Sequence, residues 1–169
     1  ESAKPARAFL KALDPGRPLR EIGMTELGPH PTPERCAEAL APARAGADLG
    51  LVSDAGCPGI ADPGAGVVAA AHEAGLRVVP LVGPSAVLLA LMASGMNGQA
   101  FAFHGYLPVA APARDEAIRA LEVESRRTAR AQLFIETPYR NPVLLAALVQ
   151  TCRPQTRVCV AVDLTLETE

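Results

Sequence analysis

The chain has 169 residues, 49% of them hydrophobic, and a formal net charge of −2. That is enough apolar material for one core or two small ones, and the near-neutral charge leaves no electrostatic footprint for nucleic acid. No apolar run reaches the ~18 residues that span a bilayer, which excludes an integral helical membrane protein.

Glu1-Ser-Ala-Lys-Pro-Ala-Arg7 begins on charges without a Met and does not read as a signal peptide. Phe9, Leu10 and Leu13 share one face of a first helix that ends near Asp14-Pro15-Gly16. The Pro- and Gly-rich stretch from Leu19 to Pro33 reads as a loop with one short extended piece. Thr32-Pro33 starts a second helix with Cys36, Ala37, Leu40 and Ala41 on its packed face, and Pro42 kinks or ends it. Leu49 to Ser53 reads as a strand. Asp62 is placed to cap the next helix, Pro63 to Ala74, with Gly75 at its C-terminal stop.

Arg77 to Val82 reads as a second strand, and Gly83-Pro84 opens a helix from Ser85 to Ser94. That helix is apolar nearly all round, so burial on most sides is expected. The order strand, helix, strand, helix implies an α/β fold with a parallel sheet. After Gly98 the pattern restarts: strand Ala100 to His104, an arginine-rich amphipathic helix, strand Gln132 to Glu136, a helix opened by Asn141-Pro142, and a last strand, Val158 to Val162. A boundary near Met96–Ala100 divides the chain into domains 1–97 and 98–169.

Three loops follow predicted strands and gather residues suited to a small ligand: Ser53–Gly64, Val82–Ala86 and Glu136–Asn141. If the first two strands are neighbours, their loops open on one sheet edge, where α/β folds bind ligands, and the third faces them across an interdomain cleft. Gly83-Pro84 lets the backbone approach a ligand closely. His104, at a strand end, is a candidate on the substrate side, whereas His72 reads as solvated. The phosphate-cradling run G-x-x-x-x-G-K-[ST] and the nucleophile elbow G-x-S-x-G are both absent, which argues against a P-loop hydrolase and a serine hydrolase. Chemistry that depends on positioning is the better fit. Cys36, Cys57, Cys152 and Cys159 form no C-x-x-C pair and have no ligand-spaced histidine, so no metal site and reduced thiols are expected. Cys57 reads as a small loop filler rather than a reactive thiol. Arg114, Arg119, Arg126, Arg127 and Arg130 alternate with Asp115, Glu116, Glu122 and Glu124, the pattern of a solvated helix face.

The string Leu51-Val-Ser-Asp-Ala-Gly-Cys-Pro-Gly-Ile-Ala-Asp-Pro-Gly64 resembles the SDAGTP…DPG motif of the tetrapyrrole (corrin/porphyrin) methylases. Glu73-Ala-Gly-Leu-Arg-Val-Val-Pro-Leu-Val-Gly-Pro-Ser-Ala86 is similar to the family's EAGIRVVPLPGPSA. Phe103-His-Gly-Tyr-Leu-Pro108, Phe134-Ile-Glu-Thr-Pro-Tyr-Arg140 and Asp163-Leu-Thr-Leu-Glu-Thr-Glu169 resemble EGFLP, FYESPHR and ELTKxxE. These place the chain nearest the branch that methylates cytidine 2′-oxygens in small-subunit ribosomal RNA. The resemblance implies a two-domain α/β fold, with a parallel-sheet first domain and a mixed second one. It also implies S-adenosylmethionine as methyl donor, a homodimer and a cytoplasmic setting.

Carried over by position, Ser53, Asp54, Ala55, Gly56, Pro58, Asp62 and Pro63 face the cofactor. Pro80, Val82, Gly83, Pro84 and Ser85 form the second wall, and Glu136, Thr137 and Arg140 face the substrate. Against the family pattern, a first strand with its loop would precede Glu1 and further strands would follow Glu169, so both domains are expected to be incomplete here. The branch's EDTRxT and HxHNE motifs are replaced by Glu1–Arg7 and Met24–His30, and Val109–Asp115 carries one positive charge. These departures weaken the RNA assignment, but an RNA 2′-oxygen still leads as acceptor, with a tetrapyrrole carbon as runner-up and another small molecule as the remaining alternative. A binding module that keeps the cleft without transferring a methyl group is the rival from another class.

Overall fold

The computed structural model describes residues 2–168. They form seven α-helices, two short 3₁₀ helices and one two-stranded parallel sheet, an α/β arrangement. The chain divides into two compact units between Pro84 and Ser85.

In the first unit, α1 (Ala3–Leu13) ends where Asp14 turns left-handed, as the Asp-Pro-Gly run predicts. It buries none of its residues, and Phe9 and Leu13 stay exposed. The stretch after Pro18 holds a 3₁₀ turn, Leu19–Glu21, and no strand. α2 (Pro33–Ala39) starts as its sequence dictates: the Thr32 hydroxyl oxygen accepts from the Arg35 N–H at 3.2 Å, and Pro33 occupies a first-turn position that loses no hydrogen bond. The break falls after Ala39, and Pro42 sits in the first turn of a short α3 (Ala41–Arg44). α4 (Gly64–Glu73) packs on α2 through Cys36, Leu40, Val67 and Ala71, the core of this unit, with Leu27, Leu76 and Val78 at its edge.

In the second unit, α5 (Ala86–Ser94) precedes β1 (Phe101–Tyr106), which pairs in parallel with β2 (Ala131–Ile135). The crossover between them is α6 (Ala111–Thr128). Register runs from Phe101 opposite Ala131 to Phe103 opposite Leu133, then shifts so that Tyr106 faces Ile135. α7 (Asn141–Thr151) completes the unit, with Asn141 as its first residue and Pro142 in its first turn. Leu107, Ile118, Leu144, Ala147 and Leu148 form the core, which Phe134 and Leu121 flank.

Three strand predictions fail. Leu49–Ser53, Arg77–Val82 and Val158–Val162 lie in no strand, so the first unit contains no sheet among the described residues. Their composition suits a strand, but a strand exists only when a partner completes its hydrogen-bond ladder. Leu81 is 88% exposed, and Val79, Val82 and Val160 are also open, so among the described residues no neighbouring strand or covering layer reaches them. The expectation that the all-apolar α5 is buried on most sides fails in the same way. Leu91 is buried, while Leu88 is exposed and Met92 is 79% exposed. No helix among the described residues is long and apolar enough to cross a membrane.

Candidate functional site

The Ser53–Gly64 loop is organised by one carboxylate. Asp62 Oδ1 accepts from the Gly59 N–H at 2.9 Å and from the Gly64 N–H at 2.7 Å, pulling both ends of the Pro-Gly segment onto the start of α4. Asp62 was expected to cap this helix. It does bind the first helical N–H, but from one residue further out, because Pro63 takes the cap position in a helical conformation. Gly59 has φ +81°, a conformation open to glycine without strain. Gly64 leaves no room for a side chain: a Cβ there would lie 2.6 Å from Asp62 Oδ1 and 2.8 Å from Leu51 Cδ2.

Burial acts to raise the Asp62 pKa. The Gly59 N–H, the nearby Ser53 hydroxyl and the Gly64 N–H outweigh it and hold the carboxyl below its ordinary value. The Ser53 hydroxyl itself donates to the Ala55 carbonyl at 2.9 Å, and the buried Asp62 Oδ2 makes no hydrogen bond. The Ala55 N–H returns a long bond to Ser53 Oγ at 3.4 Å, and Gly56 has φ +71°. Pro58 is exposed. Asp54 reaches the amino-terminal segment, accepting from the Ser2 hydroxyl at 2.6 Å and from its N–H at 3.1 Å. Those bonds, the hydroxyl's first, lower the Asp54 pKa.

The second predicted wall meets the first through Cys57, whose thiol donates to the Pro84 carbonyl at 3.2 Å. In the sequence Cys57 reads as filler. Its role as a tie between the two glycine-proline loops has no local signature, because the residues are 27 positions apart. Pro80, Val82 and Gly83 are exposed, and a Cβ on Gly83 would meet nothing within 4 Å. Ser85 is buried in the second unit, where its carbonyl accepts the Leu89 N–H at the start of α5.

In the second unit, Glu136, Thr137 and Arg140, expected to face the substrate, bond to one another. Glu136 Oε1 accepts from the Thr137 N–H and from Arg140 Nε, each at 2.7 Å, and from the Thr137 hydroxyl at 3.3 Å. An Arg140 terminal nitrogen lies 2.5 Å from the same oxygen. The Arg140 guanidinium lies 6.0 Å from the centre of the Tyr106 ring, an aromatic neighbour that the local Glu136–Arg140 string does not reveal. His104 lies within β1 rather than at its end, and its Nε2 is 2.6 Å from Gln132 Oε1 on β2. The imidazole is thus bonded across the sheet.

Burial raises the Glu136 pKa, but the Thr137 N–H and Arg140 lower it further, so the net value falls below the ordinary one. A folded-state pKa below the unfolded one stabilises the protein above the unfolded value and loses that contribution as pH falls through the folded value. Glu136→Gln is therefore expected to lower stability at pH 7 by about 1–2 kcal/mol, on the scale of one charge-assisted hydrogen bond. The deficit should shrink as pH falls below about 4. Thermal melts of both proteins from pH 7 to 3 check this, and a constant deficit across that range would contradict it.

No family model matches the chain. Among curated proteins it is 38% identical over 120 residues to the ribosomal RNA small subunit methyltransferase I of Vibrio cholerae, a match covering 71% of this chain and 40% of that protein. The protein of the same name from Escherichia coli O157:H7 is 37% identical over 136 residues, covering 80% and 46%. That from Synechocystis is 40% identical over 134 residues, covering 78% and 46%. The match thus spans less than half the length of each of these relatives. The chain is a homologue of these methyltransferases.

Proposed function

We propose that the whole protein is a methyltransferase that uses S-adenosylmethionine to methylate a ribose 2′-oxygen of small-subunit ribosomal RNA. The observation that carries this reading is the in-order similarity, over 70–80% of the chain, to proteins named for that substrate. The names of these relatives do not favour the tetrapyrrole acceptor or the non-catalytic module.

The donor supplies a methyl group activated on a sulfonium, so the protein's task is to bind, orient and exclude water. Residues 53–63 and the Pro80–Ser85 segment are the proposed cofactor walls. Their fit rests on the open space at Gly83 and on the glycine-proline loop that Asp62 holds rigid. Asp62 commits one oxygen to its own loop and serves as a positioning residue rather than a base. Arg140, oriented by Glu136 beside the Tyr106 ring, offers a cation and an aromatic face together, which suits a nucleotide's phosphate and base.

With this activity go the two-domain fold with its boundary near residue 97, a cytoplasmic setting and a homodimer. The exposed apolar side chains of α5, Leu88 and Met92, are consistent with further packing of that helix. The test is transfer of labelled methyl from S-adenosylmethionine to assembled small subunits, naked ribosomal RNA and a porphyrinoid in parallel. Label is expected on the assembled subunits. Label on the porphyrinoid alone, or cofactor binding without transfer to any acceptor, would overturn the reading.

A further inference from the structure

Along the helix, the arginines of α6 are diluted by acidic neighbours, and part of that dilution is visible. Arg127 bonds Glu124 at 2.6 Å, and Arg114 Nε lies 3.8 Å from Asp115. The last turn of α6 and the turn after α7, however, enclose a cleft of about 630 Å³ lined by Arg126, Arg130, Arg153 and Arg157. All four arginines are exposed. One carboxylate in the lining opposes them, and it is already engaged. Glu122 Oε1 accepts from the Arg153 N–H at 2.8 Å and from the Thr156 hydroxyl. Arg153 and Arg130 each keep a loose ion pair, at 3.9 Å to Glu122 and 3.8 Å to Glu124. The Arg126 and Arg157 side chains make no hydrogen bond or close ion pair with another described residue, and the Arg126 charge acts on Glu122 at longer range, helping to lower its pKa.

We propose that this cleft docks the phosphate backbone of an RNA strand, an inference that rests on the RNA reading above. Guanidinium forks match phosphate oxygens bidentately, and four of them from two chain segments offer more contacts than one anion requires. No aromatic residue lines the cleft, so it has no platform for stacking bases and would hold backbone without reading sequence. Met96 is its one large apolar side chain, too little for the anchor that a protein partner needs. The cleft is also separate from the Glu136–Arg140 cluster. Ala131, at the start of β2, lines it, whereas Glu136 follows the other end of that strand, about 17 Å away at the rise of a β-strand. An RNA held at both places would be gripped at opposite ends of the sheet.

The test uses the full-length protein and a 20-nucleotide single-stranded RNA, with affinity read by fluorescence anisotropy across a salt series. In the Arg126→Ala/Arg157→Ala variant the slope of log affinity against log salt is expected to fall by about 1.4, two contacts at about 0.7 each. The Arg126→Lys/Arg157→Lys variant should restore most of it, and an unchanged thermal melt would exclude misfolding. An unchanged slope in the alanine variant overturns the proposal, as does absence of RNA binding by the wild-type protein. Competition by inorganic phosphate as effective as by RNA would reduce the cleft to a simple anion site, and equal competition by polyglutamate would assign it to an acidic protein. Either result also overturns the proposal. Titration with S-adenosylmethionine separates the two ideas: lost cofactor binding with an altered salt slope sinks the methyltransferase reading alone.

Discussion

Gly64→Ala is expected to lower stability by about 1–3 kcal/mol, the scale of a steric overload in a packed site, and to weaken S-adenosylmethionine binding at least tenfold. Alanine in place of glycine within a helix would ordinarily stabilise it by about 1 kcal/mol. The sign reverses here because the new Cβ would lie 2.6 Å from Asp62 Oδ1 and 2.8 Å from Leu51 Cδ2. Asp62 must then withdraw, and the N–H groups of Gly59 and Gly64 lose their shared acceptor. The loop opens, and the proposed cofactor wall goes with it. Urea titration and calorimetric titration with the cofactor measure the two effects. Gly50→Ala is the control, since a Cβ there meets nothing within 4 Å. If Gly64→Ala proves as stable as the wild type, the Asp62 clamp does not organise this loop.

Gly83→Val should do the opposite, abolishing cofactor binding while changing stability by less than about 0.5 kcal/mol, as for other exposed positions free of special features. A Cβ on Gly83 would meet no protein atom within 4 Å, so the branched side chain enters open space in the folded chain. It would fill the room a closely approaching ligand needs. Gly83→Ala should give an intermediate loss of affinity. Wild-type affinity in Gly83→Val would remove this segment from the cofactor site, whatever happens at Gly64. The pair therefore separates a residue that builds the site from one that leaves it open.

The helices were legible in the sequence because their instructions are local. Thr32-Pro33 starts α2, Asp14-Pro15-Gly16 ends α1, and Gly75, with φ +68°, follows α4 as a left-handed stop. Each signal acts on backbone groups within one turn, so a short string of residues suffices. The Asp62 bond to the Gly64 N–H was legible for the same reason, whereas its bond to Gly59 and the Glu136–Arg140 pair, though equally local, emerged only in the structure. The kinship with these methyltransferases was legible in the motif strings, along a match that covers less than half the length of each relative.

The tertiary structure alone decided which strands formed. Phe101–Tyr106 and Ala131–Ile135 found each other across α6, while the equally β-prone Leu49–Ser53, Arg77–Val82 and Val158–Val162 form no strand among the described residues. A helix satisfies its own backbone, but a strand depends on a partner that can lie anywhere in the chain, and composition carries no address for it. The same distance hid the Cys57–Pro84 tie, the Ser2–Asp54 bonds and the gathering of Arg126 and Arg130 with Arg153 and Arg157. Sequence alone determined the local chemistry of this protein and its kinship. Only folding decided which of those local pieces face one another, because that depends on contacts between residues far apart in the chain.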